Sequence, residues 1–181
     1  IKEVVSSKEI FRGEEKTIEI STAEDLINLS NDYAENGHKY INYTYVLTND
    51  IDMSGVTGFL PIGRNKKLSY DERDTSASGF SSVFDGKGYT IKNLTITDAQ
   101  NAYSSEYCMG FFAEISEYGT VKNLNLENIN ITTVVVSGGF AGTISGVVEN
   151  CHISGKVSTI SSAGGFAANI RGYSNTSIKN C

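Results

Sequence analysis

The chain has 181 residues, enough for one well-buried domain and short for two. Its net charge is -6 with 20% charged residues, so no basic field exists to draw phosphate backbones, and nucleic acid is not expected as a partner. The longest apolar runs, such as 131–136, fall well short of the roughly 20 residues that cross a bilayer, so no membrane-spanning segment is expected.

Residues 1–17 read as a leading strand or linker. They open without an initiating Met or a basic-then-apolar leader, and the expectation is that a signal peptide has been removed or left out. Residues 18–63 read as an N-terminal cap. Thr22 followed by Asp25 is a helix-start signal, Leu26, Leu29 and Tyr33 share one face, and Gly37 suits an end, which predicts a helix over 23–36. Residues 43–55 read as strand and turn, and "FLPIG" at 59–63 as the entry to a first repeat. Residues 64–78 are a long polar insertion, and loops of that length are either functional or loose. Residues 79–181 form the repeats, which halt mid-unit at Cys181 and so predict an open sheet edge and a longer parent.

The repetition has two series in step. "IKNL" begins at Ile91, "VKNL" at Val121, "VENC" at Val148 and "IKNC" at Ile178, at intervals of 30, 27 and 30 residues. "GFF" from Gly110 and "GFA" from Gly139 and Gly165 follow at intervals of 29 and 26. A fixed period of this size marks a repeat architecture. Within "VKNLNLENINI", Leu124 and Leu126 share one parity and Ile129 and Ile131 the other. Strand side chains alternate faces, so such slips mark corners between short strands. Asn tolerates the left-handed conformation, and Asn93, Asn123, Asn150 and Asn180 are expected to repeat one corner, with Gly110, Gly139 and Gly165 at another.

Each repeat then reads as one coil, about 28 residues long, of an all-β, right-handed parallel β-helix with an N-terminal capping helix. Phe84, Phe111, Phe140 and Phe166 are expected to form an internal aromatic stack, beside a column of Leu94, Leu124, Cys151 and Cys181. A lone coil would not hold together. About six buried apolar side chains contribute about 1.5–3 kcal/mol each, against about 1–2 kcal/mol of backbone entropy for every residue ordered.

"STAEDLINLSNDYAENGHKYINYTYVLTNDIDMSG", "FLPIG", "FDGKGYTIKNLTI", "GGFAG" and "GGFAA" resemble bacterial surface and secreted proteins that carry the GLUG motif. The resemblance spans about residues 18–181. It implies a right-handed parallel β-helix, usually one segment of a large exported protein, and hence an extracellular or cell-surface location. Similar repeats also occur in the non-catalytic region of IgA-specific zinc metallopeptidases. Phe140 and Phe166 stand where that motif usually has Leu, and Ala168 where the second repeat would have Gly. The zinc motif H-E-x-x-H is absent: His38 is followed by Lys39 and His152 by Ile153.

Few residues point to chemistry. Asp50 and Asp52 suit either paired carboxylates or a turn in which Asx side chains bond nearby amides, and the turn is the simpler reading. Asp85 in "FDGKG" sits in a turn signature. Cys151 and Cys181, at one repeat position, are close enough in expectation for a disulfide, but Leu fills that position elsewhere, which favours free thiols. Cys108 has no repeat partner. The spacing of the three Cys matches no zinc knuckle, and no metal or cofactor is expected. His38 reads as a surface residue near a helix end, and His152 as outward-facing.

The residues left for ligand binding lie in the polar excursions: Tyr70, Asp71, Glu72 and Asp74 in 64–78, and Tyr103 and Tyr107 in 98–108. Exposed aromatics of this kind stack on sugar rings or anchor a protein partner, unless they pack on the flank of the coils. The leading expectation is a non-enzymatic module, a stalk or a presenter of a host or environmental protein or glycan ligand. Two alternatives stand beside it. One is a substrate-positioning segment of a secreted peptidase. The other is a carbohydrate-active β-helix enzyme, which Asp71, Glu72 or Asp74 sharing a cleft with Arg64 or Lys67 would favour.

Overall fold

The computed structural model describes residues 15–36, 42–63, 79–97 and 108–181. The architecture is mostly β, with parallel sheets and one short helix. β1 (Lys16–Ile20) precedes α1 (Ala23–Asn36), which starts on a reciprocal cap. The Asp25 amide donates to Thr22 Oγ1 (3.1 Å), while Asp25 Oδ2 accepts from the Thr22 and Ser21 amides (both 2.9 Å). Leu26, Leu29 and Tyr33 are buried, and Tyr33 packs 5.2 Å from the Phe80 ring and 6.4 Å from that of Tyr45. Two polar contacts fix the helix on this end of the core: Tyr33 OH with Ser82 Oγ (2.5 Å), and the Leu60 amide donating to Ser30 Oγ (3.1 Å).

The strands that follow are short, as sequences broken by Asn and Gly every few residues dictate. They are β2 (Tyr43–Leu47), β3 (Ile51–Asp52), β4 (Val83–Asp85), β5 (Thr90–Lys92), β6 (Thr95–Thr97), β7 (Phe112–Ile115), β8 (Thr120–Lys122) and β9 (Asn125–Thr133). Then come β10 (Ser137–Gly138), β11 (Ala141–Ile144), β12 (Val147–Glu149), β13 (His152–Thr159), β14 (Ala163–Gly164), β15 (Ala167–Ile170) and β16 (Ser177–Lys179). One sheet runs β1-β2-β4-β8-β12-β16. A second runs β3-β5-β9-β13, with β6 also on β9. A third runs β7-β11-β15, and β10 pairs with β14.

Among the described residues every strand pairing is parallel, and the register repeats. Phe84 sits opposite Val121, Val121 opposite Val148, and Val148 opposite Ile178. Leu126 sits opposite Ile153, and Ala141 lies between Phe112 and Ala167. The buried apolar residues form a single cluster from Leu26 and Tyr33 under α1, through Phe80, Phe84 and Phe112, to Phe140, Val148 and Cys151.

This register corrects three expectations. Phe84 is not in the stack with Phe111, Phe140 and Phe166; it belongs to the sheet column Tyr45, Phe84, Val121. Leu94 precedes Thr95, which pairs with Asn130, so it aligns with Ile129 rather than with Leu124. Asn93 is left-handed (φ 63°) like Asn123, Asn150 and Asn180, but it stands in another column, because Ile91 pairs with Leu126 and not with Val121. One cause underlies all three. Asn123 follows Asp85 by 38 residues, whereas Asn150 and Asn180 follow at 27 and 30, so the pass that carries the 98–107 segment is longer and displaces the look-alike motif.

Gly110, Gly139 and Gly165 each sit at a bend, as expected, though none of them is left-handed. Gly139 lacks a left-handed φ; it is there because the next pass comes too close. A Cβ at Gly139 would lie 2.4 Å from the Gly165 carbonyl oxygen.

Candidate functional site

Two polar columns run across the sheets at the left-handed corners. In the first, Asn180 Nδ2 donates to Asn150 Oδ1 (3.0 Å), Asn150 Nδ2 to Asn123 Oδ1 (3.1 Å), and Asn123 Nδ2 to Asp85 Oδ1 (3.0 Å). In the second, Asn128 Nδ2 donates to Asn93 Oδ1 (2.8 Å) and Asn93 Nδ2 to Asp52 Oδ1 (2.9 Å). Both columns end on a carboxylate, which can only accept.

Their surroundings fix both carboxylates in the ionised form. The hydroxyl of Ser54, then the Asn93 amide and the Ser54 backbone amide, hold Asp52 down at about 2. Asp85 is buried, which opposes ionisation. Donation from Asn123 and from the Lys87 amide outweighs that, and Lys122, 3.6 Å away, assists, so its carboxyl stays below the ordinary range. Asp50 Oδ1 accepts from the Thr90 amide (2.8 Å). These carboxylates hold turns and tie strands to one another; the two whose pKa is lowered are unsuited to donating a proton near neutrality.

The thiols are free. Cys151 is buried, and desolvation pushes its pKa up to about 12, so it is a small apolar filler and not a nucleophile at neutral pH. Cys181, at the same register position, is exposed. Cys108 accepts from Asn169 Nδ2 at 3.2 Å. His152 is exposed. Among the described residues, no group of three or more His, Cys, Asp or Glu is placed to hold a metal ion.

Two concavities stand out. One, of about 850 Å³, lies against the last pass and is lined by Ile153, Val157, Phe166, Ala167, Ile178 and Cys181. The other, of about 470 Å³, lies between α1 and the β1–β2 edge. Lys16, Glu19, Asp25, Asn28, Asp32 and Tyr43 contribute to it, with Lys16 Nζ 5.6 Å from the Tyr43 ring centroid. Sequence reading missed this groove, because its residues lie on three elements that only the fold brings together. The expected ligand residues Tyr70, Asp71, Glu72, Asp74, Tyr103 and Tyr107 lie outside the described residues, as do His38, Arg64 and Lys67.

Fold and site together define a class: a mostly β protein of parallel sheets whose repeated polar and thiol residues serve the stacking of strands. No family model matches the chain. It is similar to halomucin from Haloquadratum walsbyi, at 26% identity over 167 residues, covering 89% of this chain and 2% of halomucin. Among solved structures it is similar to a candidate immunoglobulin A1 protease from Bacteroides ovatus, at 17% identity and a TM-score of 0.46, covering 84% of this chain and 61% of that one. The chain thus spans a small fraction of the curated relative and under two thirds of the solved one.

Proposed function

We propose that the chain is a right-handed parallel β-helix serving as a non-catalytic module of an exported bacterial cell-surface protein, a stalk that carries ligand-presenting excursions. The observation that carries this reading is the register. Strands of successive passes pair in parallel in the same order, and the repeated Asn, Gly and Phe positions are taken up by corners, close approach and stacking. The handedness follows from the strong preference of parallel crossovers. The similarity to a stretch amounting to 2% of a much longer protein supports a module within a larger chain. Asp52 and Asp85, held ionised, give a glycosidase no proton donor, which disfavours the carbohydrate-active alternative at those positions.

In this reading recognition falls to 64–78 and 98–108. Tyr70, Tyr103 and Tyr107 offer flat apolar faces, with Asp71, Glu72 and Asp74 as hydrogen-bond acceptors for a glycan or protein ligand. The purified chain is expected to bind members of a glycan array, and Tyr70→Ala and Tyr107→Ala to weaken that binding with thermal stability unchanged. Incubation with polysaccharides, read by reducing ends and by unsaturated products, is expected to show no turnover. Measurable cleavage by the wild-type chain would overturn the proposal.

A further inference from the structure

We propose that the groove of about 470 Å³ between α1 and the β1–β2 pair binds a neutral sugar of one or two rings. It involves no residue of the two excursions, and so stands apart from the recognition assigned to them above.

Two periodicities meet to make the groove. Strand side chains alternate faces, so Lys16, Ile18 and Ile20 of β1 share a face, and the register sets Lys16 opposite Tyr43 and Ile18 opposite Tyr45 of β2. On α1, Asp25, Asn28, Leu29 and Asp32 fall at i, i+3, i+4 and i+7, one stripe of the helix, and that stripe lines the groove from the other side. Ile20, Leu29 and Tyr45 are buried and form an apolar floor. Lys16 and Asn28 are exposed at the rim, with Tyr43 and Asp32 half-buried below them.

The polar groups at the rim select the ligand. Lys16 comes from β1 and Asp32 from α1, opposite in sign, yet among the described residues no ion pair joins them across the groove. The ammonium lies instead 5.6 Å from the Tyr43 ring centroid. Asp32 Oδ1 accepts from Asn36 Nδ2 at 2.6 Å, which leaves Oδ2 for a ligand, and the Asn28 side chain has no hydrogen-bond partner among the described residues. Asp25 is different, since its Oδ2 is held by the helix cap. The groove therefore offers a donor on one wall and acceptors on the other.

An anion would meet Glu19, Asp25 and Asp32 against a single Lys16, an excess of like charge that repels it. A bare metal ion needs ligands converging on a point, and among the described residues no three His, Cys, Asp or Glu do so. A wholly apolar guest would desolvate Lys16, Asn28 and Asp32 without replacing their hydrogen bonds. A sugar ring meets both needs. Its C–H face lies against Tyr43 and Ile18, while each hydroxyl can accept from Lys16 or donate to Asp32 and Asn28. The volume falls within the roughly 300–1,000 Å³ of small-molecule sites, whose walls are mostly apolar with a few placed polar groups.

The test titrates the isotope-labelled 181-residue chain with lactose, maltose, cellobiose and N,N′-diacetylchitobiose at millimolar concentration, with glucuronic acid as the anionic comparison, and follows amide shifts by NMR. At least one neutral disaccharide is expected to shift the amides of Lys16–Ile20, Asn28, Asp32 and Tyr43 as one saturable set, and glucuronic acid to leave them in place. Asn28→Ala and Lys16→Met, both at exposed positions, are expected to weaken that binding by about three- to tenfold each, the net worth of one hydrogen bond, with the melting temperature unchanged. The same shifts are expected to survive in the Tyr70→Ala, Tyr107→Ala double variant. If no neutral sugar moves the groove amides, if glucuronic acid moves them equally, or if both rim variants bind as the wild type does, the proposal is overturned. Shifts confined to residues outside the groove overturn it as well and leave the stalk reading intact, whereas polysaccharide turnover would overturn the stalk reading and leave the groove's ligand as proposed.

Discussion

Truncating the core aromatics one ring at a time should give a graded series set by enclosure. Phe112 is buried on every side, with ring centroids of Phe111, Phe80, Phe140 and Phe84 at 5.1, 5.4, 5.7 and 5.9 Å. Phe140 is equally buried, but its stacking partner Phe166 is itself only half-buried. Removing a buried Phe side chain costs about 3–5 kcal/mol, the upper end applying where the hole cannot collapse. Phe112→Ala therefore belongs near 5 kcal/mol, and Phe140→Ala, next to a ring that can settle inward, near about 3 kcal/mol. Phe166→Ala loses only partial burial and one stacked face, roughly 1–2 kcal/mol. In a chain of this length each kcal/mol moves the melting midpoint by about 2–4 °C, so the shifts should be on the order of 10–20, 6–12 and 2–8 °C. Thermal unfolding followed by far-ultraviolet circular dichroism reads all three. A Phe166→Ala loss as large as that of Phe112→Ala would refute the placement of Phe112 in the enclosed core and of Phe166 at its edge.

Three further outcomes follow from the site geometry. Asp85 has a folded pKa below its unfolded value of about 3.9, so its contribution is present above about pH 4 and lost as pH falls through the folded value. Asp85→Asn should flatten the decline of melting temperature below about pH 4, and an unchanged acid limb would contradict the ion and hydrogen-bond network drawn around it. Alkylation of the native protein at mildly alkaline pH should modify Cys181 and leave Cys151 untouched until denaturant is added, as its burial and a pKa near 12 require; equal labelling by mass spectrometry would overturn that. Asn150→Asp keeps the left-handed corner but removes the donor to Asn123, and should cost about 1 kcal/mol or more by urea denaturation. Asn150→Asp matching wild type would mean that the amide column adds nothing.

What could be read from the sequence was what is local. The capping exchange of Thr22 and Asp25 spans three residues, and the left-handed tendency of Asn is a property of one, so α1 and the corner conformations were legible. Column membership was not. "IKNL" at Ile91 and "VKNL" at Val121 look alike, but Ile91 pairs with Leu126, because pairing depends on how much chain lies between two corners. A pass lengthened by an excursion breaks the period without leaving a local mark. The same ignorance of length put Phe84 in the wrong stack. The groove of Lys16, Asp32 and Tyr43 was invisible for a related reason: its members are far apart in sequence and meet only when α1 folds back over β1 and β2.

The two corner columns show how a repetitive chain can have a beginning. A row of asparagines has no inherent end, since each is both donor and acceptor. Replacing the first by aspartate removes the outward donor and leaves an anion that the neighbouring lysine and backbone amides satisfy. Asp85 and Asp52 both occupy that place, each on the side nearer α1, and each has its own turn amide as a second donor. The polarity of the hydrogen bonds is thereby fixed by two residues. Among the described residues, each later Asn of the two columns donates back toward Asp85 or Asp52, so two carboxylates set the direction of five side-chain hydrogen bonds.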